Sequence, residues 1–528
     1  MTHRYCGSFQ LLGTLLACGV LIGFSSCCSP RIKPPETTKS ALHQRTLLDA
    51  DWLFHRGDIS SSNEVIRADF NDSQWENVHL PHDYVLDGTY AYSTNREVRG
   101  HGYLPYEVSW YRKHFSVPES SRGKILRLDF DGVFRDSEVW LNGEYLGRHP
   151  SGYTPFSYDI TKLAKVGAEN IVTVRVDPRE WEGWWYEGGG IYRHVYLTAL
   201  APVHVAQWGT YVTSRVPNGD QGAADEGDVT IQTTVENNSE TTANCEVVSE
   251  IVGPGGRSIQ TLKATQPVTE NAEQNVTQQT VIAHPKLWSV ESPNLYQLRT
   301  TVLHDGKAVD YTTTTFGIRT IRYDADKGFF LNGKHVEING VANHQDFSAV
   351  GIAVPDNLQS WRVAKLKQMG CNGWRTAHNP PNEAVLDACD RLGMIVMDEN
   401  RHLGDTFPAK ADAETGYTNL SDLATMIQRD RNHPSIIMWS MSNEEKFQGS
   451  PAGRAIFSAM KELTRRYDDT RPITSAIVHN WPANGAADLQ DILGVNYNET
   501  KYDAIHRLHP DKPMFGSEDT NQKTTRGE

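Results

Sequence analysis

The sequence predicts a multidomain protein of the β plus α/β class, in which two β-sandwiches precede a barrel of parallel strands. Its 528 residues exceed the roughly 100–200 residues of one domain. Up to residue 315, short runs alternate in polarity, as antiparallel strands do. From residue 316, apolar runs alternate with helical patterns, which is typical of parallel strands covered by helices.

The composition narrows the class of protein. The 51 basic and 65 acidic residues give a net charge of −14, and because an acidic surface repels phosphate backbones, we expect no nucleic-acid partner. Four of the seven cysteines lie in the first 28 residues. The other three, Cys245, Cys371 and Cys389, are too scattered for a disulfide framework or a zinc site. No metal-ligand set is recognised in the sequence, and metal dependence is left open.

Residues 1–28 are predicted to be a signal peptide. An apolar stretch of about 14 residues is shorter than the roughly 20 that span a membrane. It ends in Phe24-Ser25-Ser26-Cys27, which resembles a bacterial lipoprotein signal, with Cys28 as a competing acylation site and ordinary secretion as the alternative. We therefore expect an exported protein, a periplasmic or cell-surface lipoprotein of a bacterium, which contacts the membrane only through a lipid anchor.

A proline-containing linker, 29–46, leads into the first sandwich. Residues 47–200 are predicted to form a jelly-roll-like β-sandwich, since runs such as 124–130 alternate in polarity and Asn142-Gly143 is a hairpin-turn signal. Residues 201–315 continue with short strands rich in Thr and Val, which suits an immunoglobulin-like β-sandwich.

Residues 316–528 contain seven successive strand–helix units, which favour a (β/α)₈ TIM barrel over a doubly wound sheet. The predicted strands are 335–341, 373–377, 394–398, 436–440, 473–477, 492–496 and 513–517. The predicted helices are 357–369, 382–391, 420–431, 453–466 and 502–508. The sequence stops ten residues after Glu518, so we expect a barrel that lacks its last unit.

The carboxyl ends of the predicted strands are polar, and this is the end at which parallel barrels carry their active sites. The residues placed there are Asn343, His344, Asp346, His378, Asp398, Glu399, Asn443, Glu444, Glu445, Asn496, Tyr497 and Glu518. Glu444 and Glu518 end the fourth and seventh strands, which face each other across an eight-stranded barrel. Such a carboxylate pair suits glycoside hydrolysis, and a separation of about 5–5.5 Å would mean retention of configuration.

Each of these residues also has a structural interpretation. A glutamate at a strand end can cap a helix or form an ion pair, and Asn443 can cap the helix that follows. His344 and His378 can be buried, hydrogen-bonded histidines. For Trp185 and its neighbours Trp184 and Tyr186, we expect a place in an interface core rather than direct contact with sugar.

Several segments together resemble glycoside hydrolase family 2, the family of bacterial β-galactosidases, β-glucuronidases and β-mannosidases. The similarity runs from about Trp52 to the last residues. Its motifs are Leu80–Asp83, Trp110–Lys113, Asp131–Val133, Trp140–Gly143, Trp185–Arg193, Phe316–Arg319, Arg429–Ser440 with Ser442–Glu444, Gly494–Tyr497 and Phe515–Glu518. The family usually has Gly where Ser442 stands.

The resemblance implies a role for each matching residue. Glu444 would be the acid/base and Glu518 the nucleophile, while Asn443 would bond the sugar 2-hydroxyl. Tyr497 fits the family's tyrosine beside the nucleophile, although Tyr502 is also near in sequence. His344 and His378 match positions in the sugar pocket.

The function implied is that of a retaining exo-β-glycosidase acting on terminal β-D-galactosides of an oligo- or polysaccharide. β-Glucuronidase and β-mannosidase are the alternatives on the same site. An alternative of another class is a non-catalytic carbohydrate-binding protein or a truncated, inactive homologue. No redox cofactor is implied, and homo-oligomerisation is left open.

Overall fold

The computed structural model describes residues 42–60, 62–95, 102–180, 185–219, 224–400, 418–479, 481 and 484–520. The predicted signal peptide therefore lies outside the described residues, together with most of the predicted linker and Trp184. No helix in these ranges combines the length and apolar character that a membrane span requires.

The first sandwich packs a six-stranded antiparallel sheet against a four-stranded one. In chain order the strands are β1 Gln44–Leu47, β2 Trp52–Arg56, β3 Glu76–Val78, β4 Ser109–Ser116, β5 Ile125–Phe130, β6 Ser137–Leu141, β7 Glu144–His149, β8 Phe156–Asp159, β9 Glu169–Val176 and β10 Val195–Leu200, with a short helix α1 at Ser62–Val65. The sheet orders are β3-β2-β4-β9-β6-β7 and β1-β10-β5-β8. Asn142 and Gly143 both have positive φ, so the predicted turn between β6 and β7 is confirmed.

The second sandwich contains seven described strands. They are β11 Val203–Arg215, β12 Glu226–Asn237, β13 Ala243–Val252, β14 Ser258–Val268, β15 Ala272–Ala283, β16 Tyr296–His304 and β17 Lys307–Phe316. They form sheets of order β11-β12-β15 and β14-β13-β16-β17, and all their pairs are antiparallel. The alternating burial of β12 and β13 places one face of each strand in the core.

A three-stranded hairpin sheet leads from the second sandwich into the barrel. It consists of β18 Ile321–Asp324, β19 Gly328–Leu331 and β20 Lys334–His335. Phe329 and Leu331 of β19 pack in one apolar cluster with Ile395, Ile437 and Ile492, which lie at or next to the beginnings of barrel strands. The hairpin therefore covers the amino end of the barrel and leaves its carboxyl end free for a site.

The barrel contains seven described strands, each parallel to the next along the chain. They are β21 Gly340–Asn343, β22 Gly373–Thr376, β23 Ile395–Glu399, β24 Ile436–Asn443, β25 Ile473–Ile477, β26 Leu493–Asn496 and β27 Met514–Glu518. The described helices are α2 Asp356–Gln368, α3 Glu383–Leu392, α4 Asn419–Asp430, α5 Pro451–Tyr467 and α6 Tyr502–Leu508. Strands β22 to β26 are buried along their whole length, as expected of strands covered on both faces.

The predicted barrel elements are confirmed with one shift. The five predicted helices agree with α2 to α6 to within two residues at each end. The first barrel strand was expected at 335–341, but β21 spans Gly340–Asn343, because His335 pairs with Phe330 in the preceding hairpin. An apolar run that crosses from one sheet into another does not reveal where the first sheet ends.

The first sandwich is fixed to the barrel by buried polar contacts. Asp83 accepts hydrogen bonds from the backbone N–H of Gly189, from that of Ile352 and from the hydroxyl of Tyr186, each at 2.9–3.0 Å. Burial raises the pKa of Asp83 to about 6. Gly190 has φ +125°, and a Cβ there would lie 2.7 Å from the carbonyl oxygen of His82, so only glycine fits this turn.

Arg193 is the second fixed point of this junction. It is 2% exposed and donates to Gln345 Oε1 at 2.7 Å and to the carbonyl of Pro380 at 2.9 Å. Both partners lie on loops at the carboxyl ends of barrel strands. The motif Trp185–Arg193 therefore sits against the mouth of the barrel, where a domain other than the barrel can contribute to a site.

Candidate active site

The polar residues predicted at the strand ends converge at the carboxyl end of the barrel. Asn443 ends β24 and Glu444 follows it, Glu518 ends β27, and Tyr497 follows β26. Glu444 and Tyr497 both have φ +52°, a backbone region that non-glycine residues rarely adopt. Such conformations cluster at functional sites, because there the surrounding structure fixes how a side chain is aimed.

Arg375 of β22 links the two halves of the site. Its guanidinium donates to Glu518 Oε1 at 2.6 Å, to Asn443 Oδ1 at 2.6 Å and to both oxygens of Glu399 at 2.9–3.0 Å. The side chains of Arg375 and Glu399 are 5% and 0% exposed, so the pair interacts in a low-dielectric environment. This arrangement joins the nucleophile candidate Glu518 to Asn443, the residue that precedes the acid/base candidate, through one buried cation.

Glu518 lies among hydrogen-bond donors. Tyr497 donates its hydroxyl to Oε2, and Nε2 of His378 lies 3.6 Å from Oε1. Burial acts to raise the pKa of Glu518, but the positive charges of Arg375 and His378 and the tyrosine hydrogen bond outweigh it, so the pKa lies below its usual value. The carboxylate is therefore ionised at neutral pH, as a nucleophile must be.

Glu444 has the opposite electrostatic environment. Burial raises its pKa above the usual value, and the negative charge of Glu518 adds to the rise. Asn496 donates to Glu444 Oε1 at 2.8 Å and opposes the shift without cancelling it. Two neighbouring carboxyl groups whose pKa values are moved apart can divide the roles of proton donor and nucleophile.

The two predicted histidines form one wall of the site. His378 Nδ1 lies 2.7 Å from Glu399 Oε1, and the ring of His344 meets that of His378 edge-on at 5.1 Å. Burial lowers the pKa of His344 to about 3, and the positive charge of His378 adds to the effect, so His344 is neutral. The geometry thus brings all six predicted site residues, Glu444, Glu518, Asn443, His344, His378 and Tyr497, into one cluster.

The neighbouring candidates take other positions. The hydroxyl of Tyr502 donates to Asp519 rather than to Glu518, so Tyr497 is the tyrosine that contacts the nucleophile candidate. The side chain of Asp398 bonds Thr376 and does not enter the hydrogen-bond network around Arg375.

Trp185 was expected in an interface core, and that expectation is wrong. Its side chain is 44% exposed and stacks on His344 at 5.2 Å with an interplanar angle of 22°. The neighbouring Tyr186 does lie in the interface, where it bonds Asp83. An exposed indole from the first sandwich therefore stands at the edge of the site.

Three further residues belong to the site although no role was predicted for them. Glu399 and Asn496 were placed at the rim, and Arg375 was seen only as part of the segment before His378. A signal for Arg375 was available, because a charged residue in a fully buried strand needs a buried partner. The strand alternation does not say which of several carboxylates that partner is.

Comparisons with known proteins place the chain in a family. Three sequence models match the chain: the sugar binding domain of glycosyl hydrolases family 2 at residues 87–201, glycosyl hydrolases family 2 at 210–319, and the TIM barrel domain of the same family at 324–524. A β-glucuronidase of Bacteroides fragilis is 32% identical over 506 residues, which cover 89% of this chain and 67% of that protein. The chain belongs to glycoside hydrolase family 2. The predicted fold, two β-sandwiches followed by a TIM barrel, is the fold of this family.

Other family members differ in the activity that their names record. The β-galactosidase BoGH2A of Bacteroides ovatus is 37% identical over 522 residues, covering 92% of this chain and 60% of that protein. A family 2 crystal structure from Bacteroides cellulosilyticus has a TM-score of 0.81 at 33% identity, covering 90% of this chain and 63% of that one. This family 2 chain therefore spans about 60% of the length of these relatives.

Proposed function

We propose that this chain carries the active site of a retaining exo-β-glycosidase, with Glu444 as acid/base and Glu518 as nucleophile. The observation that carries the proposal is that one hydrogen-bond network, through Arg375, Asn443 and Asn496, joins the two carboxyl groups. The opposite directions of their pKa shifts support it. A protonated and an ionised carboxyl group, both at strand ends on one side of the barrel, are what double displacement requires.

In the first step, Glu444 donates its proton to the glycosidic oxygen while a carboxylate oxygen of Glu518 attacks the anomeric carbon. The bond from that carbon to the leaving oxygen breaks, and an ester between the sugar and Glu518 forms. The Oδ1 atom of Asn443 is held by Arg375 and Asn496, which leaves its Nδ2 to donate to the sugar 2-hydroxyl.

In the second step, Glu444 is ionised and takes a proton from a water molecule as the water oxygen attacks the anomeric carbon. The ester bond to Glu518 breaks, and the sugar leaves with its original β configuration. The positive charge of Arg375 and the hydroxyl of Tyr497 stabilise the departing carboxylate.

For the sugar, we propose a β-D-galactoside, with a β-glucuronide or β-mannoside as the alternatives. The name and 37% identity of BoGH2A support a galactoside, whereas the β-glucuronidase of Bacteroides fragilis is 32% identical. Arg375, the cation that contacts both halves of the site, is already bonded to Glu399, Glu518 and Asn443. It is therefore not free to bind a substrate carboxylate, which favours a neutral sugar.

The test is a panel of 4-nitrophenyl β-galactoside, β-glucuronide and β-mannoside, with the anomer of the first sugar released followed by ¹H NMR. We expect turnover of the galactoside with the β anomer appearing first. Faster turnover of the glucuronide would reassign the substrate but keep the mechanism. Initial release of the α anomer would contradict the double displacement, and binding without turnover of any substrate would indicate a carbohydrate-binding protein.

We also propose that the protein is exported and anchored through a lipid on Cys27, since an apolar stretch and small residues precede this cysteine. Labelled palmitate should be incorporated into the full chain produced in a Gram-negative host. Incorporation should be lost in the variant Cys27→Ala and kept in Cys28→Ala. Equal labelling of both variants would contradict an anchor at Cys27.

A further inference from the structure

A second cavity, of about 470 Å³, lies between the second sandwich and the amino ends of β24 and β25. It is thus at the end of the barrel opposite Glu444 and Glu518. Its wall comes from the end of β11, from the segment that enters the barrel and from the loops that precede β24 and β25. The four arginines that line it are Arg215, Arg319, Arg431 and Arg471. The described lining residues include no Asp or Glu.

The positive charge of this cavity is poorly compensated. Arg471 has a carboxylate partner, Asp468, at 2.6 Å. Arg319 donates instead to the backbone carbonyls of Pro434 and Ile436, and Arg431 to those of Trp208 and Tyr467. Within the described part of the chain, neither Arg319 nor Arg431 has a carboxylate within 4.0 Å. Asp468 acts on both arginines at longer range, and the guanidinium of Arg431 lies 4.5 Å from the ring of Tyr211. Among the described residues, neither arginine therefore has the direct carboxylate contact with which buried cations are normally paired.

Burial also affects the ionisation of these guanidinium groups. Burial lowers the pKa of Arg319 to about 9, and the charge of Arg471 adds to the effect. Burial also lowers the pKa of Arg431. In the described structure, Nε of Arg431 and the hydroxyl of Thr320 are buried without a hydrogen-bond partner. An anion in the cavity would stabilise these cations in a chain whose net charge is −14.

The hydrogen bonds from Arg319 and Arg471 to backbone carbonyls also have a structural role, since they join the segments of these arginines to the start of β24. These contacts leave one donor of Arg319 available, because its Nη1 makes no hydrogen bond to the residues described. Thr213 and Ser214 also line the cavity. Planar, cationic guanidinium donors are the groups that recognise tetrahedral oxyanions.

We propose that this cavity binds a tetrahedral oxyanion, sulfate or phosphate, through Arg215, Arg319 and Arg431. The ion is bound either free or as the ester group of a saccharide. The volume suits both sources, because pockets of about 300–1,000 Å³ hold small organic molecules. This site is separate from the hydrolytic one and needs no turnover to be detected.

Isothermal titration calorimetry of the full chain tests the proposal at constant ionic strength, with sodium sulfate, sodium phosphate, glucose 6-sulfate and glucose 6-phosphate as ligands. Sodium chloride and sodium acetate are the control salts. We expect one site for the oxyanions and none for the control salts. Equal affinity for the inorganic ions and the esters would assign the free ion, and tighter binding of an ester would assign a saccharide. No binding of any oxyanion would overturn the proposal.

Arginine-to-glutamine variants test whether the oxyanion binds in this cavity. Loss of one charge-assisted hydrogen bond should weaken binding by about tenfold in Arg431→Gln and in Arg215→Gln. The matched control is Arg257→Gln, in the hairpin between β13 and β14 of the same sandwich. If Arg431→Gln does not fold, Arg215→Gln still tests the proposal, because Arg215 is exposed and its replacement leaves the core intact. Unchanged affinity in the folded variants would place any bound ion elsewhere.

Discussion

Arg375 donates a hydrogen bond of 2.6 Å to Glu518, and the opposite side of its guanidinium is held by Glu399. Glu399 also contacts Nδ1 of His378 at 2.7 Å, and His378 in turn faces Glu518. One buried carboxylate thus positions both cationic neighbours of the proposed nucleophile. Glu399 is itself too deeply buried to contact substrate, so we infer that it is a positioning residue.

We predict that Glu399→Gln lowers kcat/KM by about 10- to 100-fold, the usual effect of losing a supporting partner. The variant removes the negative charge of Glu399, which otherwise competes with Glu518 for Arg375. Arg375 then acts more strongly on Glu518, and the pKa of Glu518 falls further. The acid limb of the pH–rate profile should therefore move to lower pH. A matched control is Asp390→Asn, a buried carboxylate that contacts His433 at the amino end of the barrel. An unchanged acid limb in Glu399→Gln would reduce Glu399 to a structural role.

The roles proposed for Glu444 and Glu518 predict different kinetic defects. Glu518→Gln should lower kcat by about 10⁴-fold or more on every substrate, because the nucleophile is lost. Glu444→Ala should spare a dinitrophenyl galactoside more than a methoxyphenyl one, since the better leaving group needs less protonation. Added azide should restore turnover in Glu444→Ala and yield the β-glycosyl azide.

The neighbouring carboxylate provides the control for that experiment. Glu445→Ala should keep the wild-type ratio of rates on the two aryl galactosides. If Glu445→Ala instead shows the leaving-group dependence and azide rescue, the acid/base role belongs to Glu445.

The pH dependence of kcat/KM follows from the two pKa shifts. Activity requires Glu518 ionised and Glu444 protonated, so the profile is a bell whose acid limb reports Glu518 and whose alkaline limb reports Glu444. The hydrogen bond from Asn496 favours the ionised form of Glu444. Asn496→Ala should therefore raise the pKa of Glu444 and shift the alkaline limb to higher pH. A shift to lower pH would contradict this electrostatic account.

Much of the barrel was predictable because its strands are apolar and its helices α3 to α5 are amphipathic, and the site residues stand where such strands end. The convergence of Glu444 and Glu518 followed from the order of the strands alone. Their contacts did not follow, because Arg375 lies inside a strand and strand alternation does not identify its partners. The resemblance to family 2 supplied the roles that spacing could not.

The contribution of the first sandwich to the site was not predictable from local sequence. Tryptophan beside tyrosine and a glycine run is as typical of an interface core as of a binding surface. Trp185 is exposed because the glycine turn at Gly190 and the bonds of Asp83 and Arg193 place its segment at the barrel mouth. Those partners come from distant parts of the chain, so only the folded structure brings them together.

The exposure of Trp185 predicts a role in substrate binding. Its indole stacks on His344, a residue of the site, and Trp185 is 44% exposed. Trp185→Ala should raise KM for aryl galactosides by about tenfold, the effect of losing roughly 1.5 kcal/mol of aromatic contact, with a smaller change in kcat. The control is Trp361→Ala, an indole of similar exposure (48%) on α2 that packs against Phe347. Equal KM values for the two variants would mean that Trp185 does not contribute to substrate binding.

Asp83 predicts how firmly the first sandwich is held against the barrel. In Asp83→Ala, the N–H groups of Gly189 and Ile352 and the hydroxyl of Tyr186 lose their acceptor, and unsatisfied buried donors cost about 1–3 kcal/mol each. The midpoint of thermal unfolding should fall by several degrees. Because the same contact positions the segment of Trp185, KM should rise as well. Asp69→Ala, which removes an exposed carboxylate bonded only to Arg67 among the described contacts, should change neither quantity. A lower midpoint with unchanged KM would mean that Asp83 stabilises the junction without aiming Trp185 at the site.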